Sequence, residues 1–368
     1  MDKKRRIIEV LALVLFILIM STSGCLEYFN FDFDGGTTYE SHHTKIRYII
    51  SYGYKVNCSG TGKYSIYYDC NLPEILLGSL STERLYQQNY KSTSQANNTV
   101  IRWNISGKDS HYYKIGIRAN VETESFLVNN LNGDGALTLQ EIKTFYPNLI
   151  DQYCKEQSDS NIIYIDPGNP NIKSTAQTVF KKANSNNSFI VAKELFTWLK
   201  QNTVYKMHTI YNNVQPSINT YQLGSGDCDD LSFLYISLCR SVGIPARFIS
   251  GFLLEESNGV ASAIGHVWVE IFVGENISND GWIPVECSCS ASIKTEINQN
   301  FGVEDISHLR LFKDDGSNES LNVSISGPNA IYDTNIDVVM LSFVEIDNYT
   351  VLESKELFID KNGNRSYE

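Results

Sequence analysis

Three residues in the second half of the chain could together perform nucleophilic acyl chemistry: Cys228, His266 and Glu286. A cysteine thiol becomes a strong nucleophile when a histidine removes its proton, and a carboxylate can fix the tautomer of that histidine. In this order His266 would take the proton of Cys228 while Glu286 orients the ring. The thiolate would then form a thioester with an acyl carbon, and water or an amine would resolve it.

The sequence predicts that Cys228 begins a buried helix. Apolar side chains recur at helical spacing over residues 228–240 and make nearly the whole circumference apolar. Asp227 is a favourable N-cap, and Gly243 is a favourable stop. Unpaired N–H groups in the first turn favour a thiolate, but three nearby aspartates oppose it, so we expect the sulfur to need a positive partner.

Two strands follow that would carry the base and the acid. Residues 264–273 alternate like a strand and contain His266, and residues 281–287 form a second strand-like run that contains Glu286. In a hairpin His266 would lie opposite Glu286 or two residues away, and directly opposite Cβ atoms are about 5 Å apart. Glu270 is the alternative acid, although its place on the strand of His266 favours a supporting role.

Four ordered motifs in this region resemble the transglutaminase-like superfamily. They are Gly226-Asp227-Cys228, Gly243–Arg247, His266–Glu270 and Trp282–Glu286. The resemblance implies an α+β fold, with a papain-like core in which a buried Cys helix packs on an antiparallel sheet, preceded by an antiparallel β domain. It also implies cleavage or transfer of amide acyl groups. The family usually has Asp where this chain has Glu286, which reaches one methylene further.

The resemblance also suggests how the oxyanion of an acyl intermediate would be held. Gln222 lies six residues before Cys228, the spacing at which papain-like proteases place a side-chain donor. An ordinary loop glutamine is the alternative. The backbone N–H of Cys228 is a donor that the helix start supplies in either case.

The N-terminus predicts export. Residues 1–6 are basic, Val10–Met20 is an apolar run too short for a comfortable membrane span, and Ser23-Gly24-Cys25 resembles a lipobox. We therefore expect the chain outside the cytoplasm, anchored to the membrane through a lipid on Cys25 or through an uncleaved signal anchor. An ordinary cleaved signal peptide is the other alternative.

Composition narrows the classes of partner. The net charge of −12 argues against nucleic acid, because phosphate contacts need clustered Lys and Arg. Hydrophobic residues make up 42 % of the chain, with 22 Tyr and 17 Phe, which is enough for large cores. A protein or peptide substrate is the expected partner.

Strand-like runs alternate with turns over residues 45–120, which predicts an antiparallel β domain before the core. The predicted division is a signal peptide over 1–25, a tether over 26–44, a β-sandwich-like domain over 45–125, a calcium loop with a linker helix over 126–160, a catalytic domain over 161–300 and a C-terminal β appendage over 301–368. The strand-like run Asp337–Ile346 within the last segment could instead complete a sheet.

Residues 130–141 match the EF-hand loop at its ligand places and its sharp-turn glycine. The oxygens would come from Asn130, Asn132, Asp134, the Ala136 carbonyl, Thr138 and Glu141. Only two carboxylates contribute, so we expect weak Ca²⁺ binding, roughly 10⁻⁴–10⁻³ M, that braces the structure and takes no part in the chemistry. The alternative is a polar turn in which Asp134 caps the following helix.

Eight cysteines are present, of which Cys58 and Cys70 flank a turn between two strand-like runs. A Cys58–Cys70 disulfide is therefore the best single pairing to expect in an exported chain. The cysteines and the Glu286 departure also keep a second hypothesis open, in which the chain is a non-catalytic envelope or adhesion scaffold. An enzyme needs an accessible thiol at Cys228, whereas a scaffold can leave it buried or disulfide-bonded.

Overall fold

The computed structural model describes residues 36–159, 161–207, 214–257, 260–289, 292–323 and 328–368. The predicted signal peptide and Cys25 lie outside these residues. Within them, the helices are all too short or too polar to cross a bilayer.

Most of the strands pair antiparallel, and the helices are concentrated in the middle of the chain. Numbered in chain order, the strands are β1 (Thr37–Gly60), β2 (Lys63–Asn71), β3 (Gly78–Arg84), β4 (Tyr90–Gln95), β5 (Asn98–Lys108), β6 (His111–Glu124), β7 (Phe126–Leu127), β8 (Gln157–Asp159), β9 (Ile162–Ile165), β10 (Val204–Tyr205), β11 (Ser225–Gly226), β12 (Ala246–Ser257), β13 (Val260–Phe272), β14 (Trp282–Val285), β15 (Val303–Glu304), β16 (His308–Lys313), β17 (Asn329–Tyr332), β18 (Ile336–Ile359) and β19 (Arg365–Tyr367). The helices are α1 (Leu139–Phe145), α2 (Pro147–Tyr153), α3 (Pro170–Ala183), α4 (Ser188–Asn202), α5 (Ser217–Leu223), α6 (Cys228–Ser241), α7 (Ile293–Asn300) and α8 (Asn318–Val323).

Two antiparallel sheets form a sandwich with an aromatic-rich interior. Their strand orders are β19–β18–β1–β6–β3 and β17–β2–β5–β4. Alternate residues of β1, among them Ile46, Tyr48 and Ile50, are buried, as the two-residue period of a strand requires. They share one core with Trp103 of β5. The predicted antiparallel β domain is confirmed.

Strand β18 pairs with β1 along the full length of both strands, from Thr37 opposite Ile359 to Gly60 opposite Ile336. The predicted tether over 26–44 is therefore wrong from Thr37 onward, since these residues have a partner strand; residues 26–35 lie outside the described part. The C-terminal run completes the sandwich sheet and is not a separate appendage. Local sequence could not show this, because the partner strands are far apart in the chain.

The core predicted around Cys228 packs helix α6 on the antiparallel sheet β14–β13–β12–β16. Leu231, Leu234 and Leu238 of α6 are fully buried, as the helical spacing predicted. The helix ends where Gly243 adopts φ +89°, a left-handed conformation that glycine reaches without strain. The predicted Cys helix on an antiparallel sheet is confirmed.

The core sheet extends beyond the predicted boundary at residue 300. Strand β16 pairs with β12, with Lys313 opposite Ile249 and His308 opposite Leu253. Part of the segment predicted as an appendage therefore belongs to the core. This addition matters because it brings His308 to the edge of the candidate site.

The predicted Cys58–Cys70 disulfide is wrong: both thiols are buried and free, and the other cysteines that the structure describes are free as well. Strands β1 and β2 belong to different sheets and do not form the expected hairpin. Cys58 lies beside Tyr64, whereas Cys70 lies beside Tyr52. Tyr52 and Cys58 are six residues apart along one strand, a separation of about 20 Å, far beyond the reach of an S–S bond.

Candidate active site

Cys228 is the first residue of α6, directly after the N-cap Asp227. Asp230 closes this helix start, since its carboxylate accepts the backbone N–H of Asp227 at 3.2 Å. A Cβ on Gly226 would collide with the side chain of Asp230, which explains the glycine of the Gly-Asp-Cys motif. The thiol is thus fixed at the end of a buried helix, half-buried itself and free.

The surroundings keep the thiol protonated at rest. Burial, followed by the charge that Asp229 carries at high pH, raises the pKa of Cys228 to about 12. A hydrogen bond from the backbone amide of Val267 acts in the opposite direction and places the sulfur against β13, next to His266. The nucleophile therefore has to be activated by proton transfer to a base.

The nearby aspartates are less repulsive than the sequence suggested. Burial and a hydrogen bond shared with Asp227 raise the pKa of Asp229 to about 9, so this group is mostly protonated at neutral pH. The carboxylate of Asp230 accepts hydrogen bonds from the backbone and the side-chain amide of Gln215, both at 2.7 Å. Protonation of Asp229 reduces the negative charge that acts on Cys228.

His266 and Glu286 meet as predicted. The register of β13 and β14 pairs Val269 with Val285, so Glu286 comes diagonally across from His266, two residues away. The distance from His266 Nε2 to Glu286 Oε2 is 2.8 Å. Because Nε2 is engaged by the carboxylate, Nδ1 is the ring nitrogen that can take up the proton of the thiol.

Glu286 is held at both oxygens. Oε1 accepts the backbone N–H of Ser288 at 2.7 Å and its hydroxyl, and Oε2 accepts from His266 and from Nε2 of His308 at 3.0 Å. Burial opposes ionisation, but the hydrogen bonds and charges of the two histidines lower the pKa of Glu286 well below its usual range. The residue is therefore a fixed carboxylate at neutral pH.

His308 was missed by sequence reasoning. Its Nδ1 lies 2.7 Å from Oδ1 of Asp305, so both ring nitrogens face carboxylates. Burial opposes its charge, but Asp305 and then Glu286 hold the pKa of His308 well above its usual range. The only available signal was a strand-like run after the expected end of the domain, and the motif pattern stops before it.

Glu270, the alternative acid, is engaged elsewhere. Arg247 donates to it at 2.7 Å and Arg310 at 2.5 Å, and both salt bridges are buried. Arg310 also binds Glu304, which accepts the indole N–H of Trp268 at 2.9 Å. Glu270 thus fixes β12, β13 and β16 relative to one another, the supporting role that its strand position favoured.

Tyr205 also lies near the thiol. Tyr205, in the short strand β10, pairs with Gly226 and is close enough for the charge of Cys228 to contribute to the raised pKa of its hydroxyl, after burial. The sequence carries no motif that would have identified Tyr205. Gln222 lies exposed near the end of α5. Its role as an oxyanion donor stays a prediction.

The residues around Glu286 include possible metal ligands. Ligand-type atoms of His266, Glu286 and His308 lie within 4.8 Å of one another. Both histidine nitrogens, however, are at hydrogen-bond distance from the same Glu286 oxygen, so we assign this cluster to proton sharing and not to metal binding.

The predicted calcium loop connects the sandwich and the core. The Leu131 N–H donates to the Gly363 carbonyl beside β19, and the side chain of Asn187, the N-cap of α4, donates to the Gly133 carbonyl, both at 2.9 Å. Helix α1 is capped by Thr138 with Glu141, so the alternative of an Asp134 cap is wrong. The calcium ligands proposed for this loop stay a prediction.

Comparisons with known proteins agree with this geometry. Residues 173–287 match the family model of the transglutaminase-like superfamily. This segment is a transglutaminase-like domain. It contains Cys228, His266 and Glu286, whereas His308 lies beyond its end. The assignment gives the chain the domain of a family of thiol enzymes.

One solved structure extends the likeness in fold to the sandwich. A candidate cysteine protease from Cytophaga hutchinsonii matches 89% of this chain over 99% of its own length, with 14% sequence identity and a TM-score of 0.50. The periplasmic domain of TgpA from Pseudomonas aeruginosa matches 69% of this chain and 88% of its own length, with 14% identity and a TM-score of 0.34. No curated protein matches the chain. At this identity the Cytophaga structure shows a common fold.

Proposed function

We propose that the protein is a thiol enzyme that cleaves or transfers amide acyl groups through a thioester on Cys228. The observation that carries this proposal is the 2.8 Å contact between His266 and Glu286, next to the strand amide that holds the Cys228 sulfur. A helix-start thiol, a strand imidazole and a fixed carboxylate supply nucleophile, base and orienting acid.

The proposed reaction begins with transfer of the Cys228 proton to Nδ1 of His266. The sulfur attacks the acyl carbon, and the backbone N–H of Cys228 donates to the oxyanion that forms. When the C–N bond breaks, the His266 imidazolium returns its proton to the leaving amine. Water, deprotonated by His266, then attacks the thioester and releases the acid and the thiol. Throughout, Glu286 stabilises the imidazolium and keeps Nδ1 directed at the sulfur.

Hydrolysis is favoured over transfer to an amine. Transfer requires that water be kept from the thioester. Cys228 is only half-buried and Tyr205 beside it is 38% exposed, which supports access of water to a thioester at this place. A protein or peptide is the proposed substrate class, which agrees with the negative charge of the chain and with the fold it shares with a candidate protease.

We place this activity outside the cytoplasm, on a membrane-tethered protein. The support is the signal-like segment that ends at Cys25. The tether would be a lipid on Cys25 or an uncleaved signal anchor. Mass spectrometry of the protein from membrane fractions tests this, since a diacylglyceryl adduct on an N-terminal Cys25 is the expected product of lipidation.

A scaffold without catalysis is the competing function. It would be favoured by a disulfide at Cys228 or by complete burial of that thiol. The free and half-buried thiol, together with a carboxylate held on His266, supports the enzyme instead.

Alkylation of Cys228 with iodoacetamide from about pH 5 to 9 tests the proposal, with full-length wild type compared with His266→Ala. A thiol with a pKa near 12 and no base would react slowly over this whole range. Selective labelling of Cys228 near neutral pH that is lost in His266→Ala supports the activated thiol. Equal, slow labelling of both proteins would contradict it.

A peptide library then identifies the bond that is broken. Cleavage by wild type and its absence in Cys228→Ser would establish hydrolysis. Products that carry an added amine, when a primary amine is supplied, would establish transfer.

A further inference from the structure

One oxygen of Glu286 accepts hydrogen bonds from two imidazoles. His266 Nε2 lies 2.8 Å and His308 Nε2 lies 3.0 Å from Oε2, and the two ring centroids are 5.6 Å apart. At its other nitrogen His308 meets the carboxylate of Asp305 at 2.7 Å. Carboxylates accept and do not donate, so both nitrogens of His308 carry protons and the ring is an imidazolium.

The position of His308 is firmly fixed. Its side chain is only 5% exposed, and the ring packs edge-on to Trp268 with centroids 4.8 Å apart. Trp268 is itself held by its N–H bond to Glu304 and stacks on His266 at 5.9 Å. Both imidazoles therefore contact the same buried indole, and neither can turn without disturbing it.

Glu286 needs hydrogen bonds that fix its carboxylate more than an aspartate would. It has one methylene more than the aspartate that is usual at this place in the family, and therefore one more rotatable bond. A mobile carboxylate would spend part of its time away from His266, whereas orientation of a catalytic base requires a fixed partner. Ser288 holds one oxygen of this carboxylate, and His308 holds the other.

We propose that His308, fixed by Asp305, is a positioning residue that holds the longer carboxylate of Glu286 in the place from which it orients His266. This inference rests on the proposed thiol chemistry. It assigns a role to a histidine outside the matched family segment, and it explains how a glutamate can serve as the orienting acid.

The charge of His308 also affects the site. It is faced by Asp305 before β16, by Glu286 after β14 and by His266 on β13, with the Glu304–Arg310 ion pair one contact further away. Removing a buried positive charge makes nearby groups hold their protons more tightly. Loss of His308 should therefore move the pH midpoint of Cys228 alkylation upward, by on the order of one pH unit.

The test compares wild type with His308→Gln and His308→Leu. His308→Gln keeps a neutral donor, whereas His308→Leu removes both donor and charge. We expect kcat to fall about 10- to 100-fold in His308→Gln, as for the loss of other groups that orient a ligand or base, and further in His308→Leu, with KM changed less than twofold. His111→Gln, an exposed histidine of the sandwich, is the matched control and should behave like wild type.

A second readout does not depend on catalysis. In ¹⁵N-labelled full-length protein, the ring spectra should show His308 doubly protonated at pH 7 and a hydrogen-bonded Nε2–H on His266. We expect the His266 signal to broaden or disappear in His308→Gln. Thermal melts of each variant separate this effect from misfolding.

Two results would overturn the inference: a folded His308→Gln with wild-type kcat and alkylation midpoint, or a His266 ring signal unchanged by the substitution. Failure of the proposed function would look different. Wild-type Cys228 would then show no His266-dependent labelling, while the ring spectra would still decide whether His308 positions Glu286.

Discussion

The sandwich and the transglutaminase-like core place their charged residues in opposite ways. In the sandwich the interior is apolar and aromatic, and ion pairs such as Lys55–Glu345 and Arg47–Glu122 lie on solvent-exposed faces. In the core, Glu270 is buried between two arginines. Exposed pairs contribute little to stability, whereas a buried charge that loses its partner is strongly destabilising.

This difference indicates what each region is built to do. The sandwich derives its order from packing and strand pairing, and its exposed ion pairs contribute little to its stability. The core uses buried charges to fix the strands that carry His266 and His308. Catalytic geometry is sensitive to errors of about 1 Å, and directional bonds define strand positions more narrowly than apolar contacts do.

The largest expected effect is on activity, which should depend on site residues in the core and not on an exposed charge in the sandwich. Cys228→Ser and His266→Ala should each lower kcat/KM on a cleaved peptide by about 10⁴-fold, because nucleophile and base act as one unit. Glu345→Gln in the sandwich should leave kcat/KM unchanged. Steady-state kinetics with protein of matched folding check this. Retained activity in Cys228→Ser would remove this residue as the nucleophile.

The next effect concerns stability. Glu270→Gln should lower the free energy of unfolding by about 3–5 kcal/mol, because buried Arg247 loses the carboxylate it is paired with and buried Arg310 keeps only Glu304. Glu345→Gln, the same chemical change at an exposed pair, should leave the free energy of unfolding within error of wild type. Denaturant unfolding followed by fluorescence measures both. Equal effects of the two substitutions would show that the contrast between the regions is wrong.

The dependence of stability on pH should distinguish a histidine of the core from a histidine of the sandwich. The pKa of His308 is raised well above its usual range, so its contribution to stability is complete below the unfolded pKa of about 6.5 and is lost as pH rises toward the folded pKa. Stability should therefore fall above pH 6.5 with a slope of up to about 1.4 kcal/mol per pH unit. His308→Gln should remove this part of the slope, whereas His111→Gln in the sandwich should keep it.

The smallest effect tests the segment that joins the two regions. If the loop over residues 130–141 binds Ca²⁺ with a dissociation constant of roughly 10⁻⁴–10⁻³ M, then 1 mM Ca²⁺ should stabilise the protein by about 0.4–1.4 kcal/mol. Glu141→Gln keeps a side chain suited to the cap with Thr138 and should abolish the gain. If the Tm of wild type does not depend on Ca²⁺, the loop does not bind the ion, and Glu141 serves only in the helix cap with Thr138.

The features that could be predicted from sequence are those whose contacting residues are close together along the chain. Helix α6 and the β13–β14 hairpin each form from residues that are close in sequence. The alternation of apolar residues along the two strands therefore predicts that His266 lies opposite Glu286 or two residues away, as the structure shows. His308 could not be found in this way. Its strand joins the sheet through β12, whose pairing residues lie about 60 positions earlier.

The predictions that are wrong for the sandwich have the same cause, which is pairing between segments far apart in the chain. Cys58 and Cys70 flank what looks like a hairpin turn, but the chain passes from one sheet to the other at that point. The tether was mistaken because residues 37–44 have no neighbouring partner in sequence. Strand pairing depends on two segments, and the partner of residues 37–44 is β18, which lies about 300 residues later in the chain.

The union of β1 with β18 has a consequence for how the chain folds. Roughly 300 residues separate the paired positions, and contacts of such high order are slow to form because loop closure precedes any gain from pairing. Until β18 has been synthesised, one edge of the long strand β1 has no partner and is exposed to aggregation. The first strand that the structure describes is therefore completed last, and a chain that stops before residue 336 would leave β1 as an open edge of its sheet.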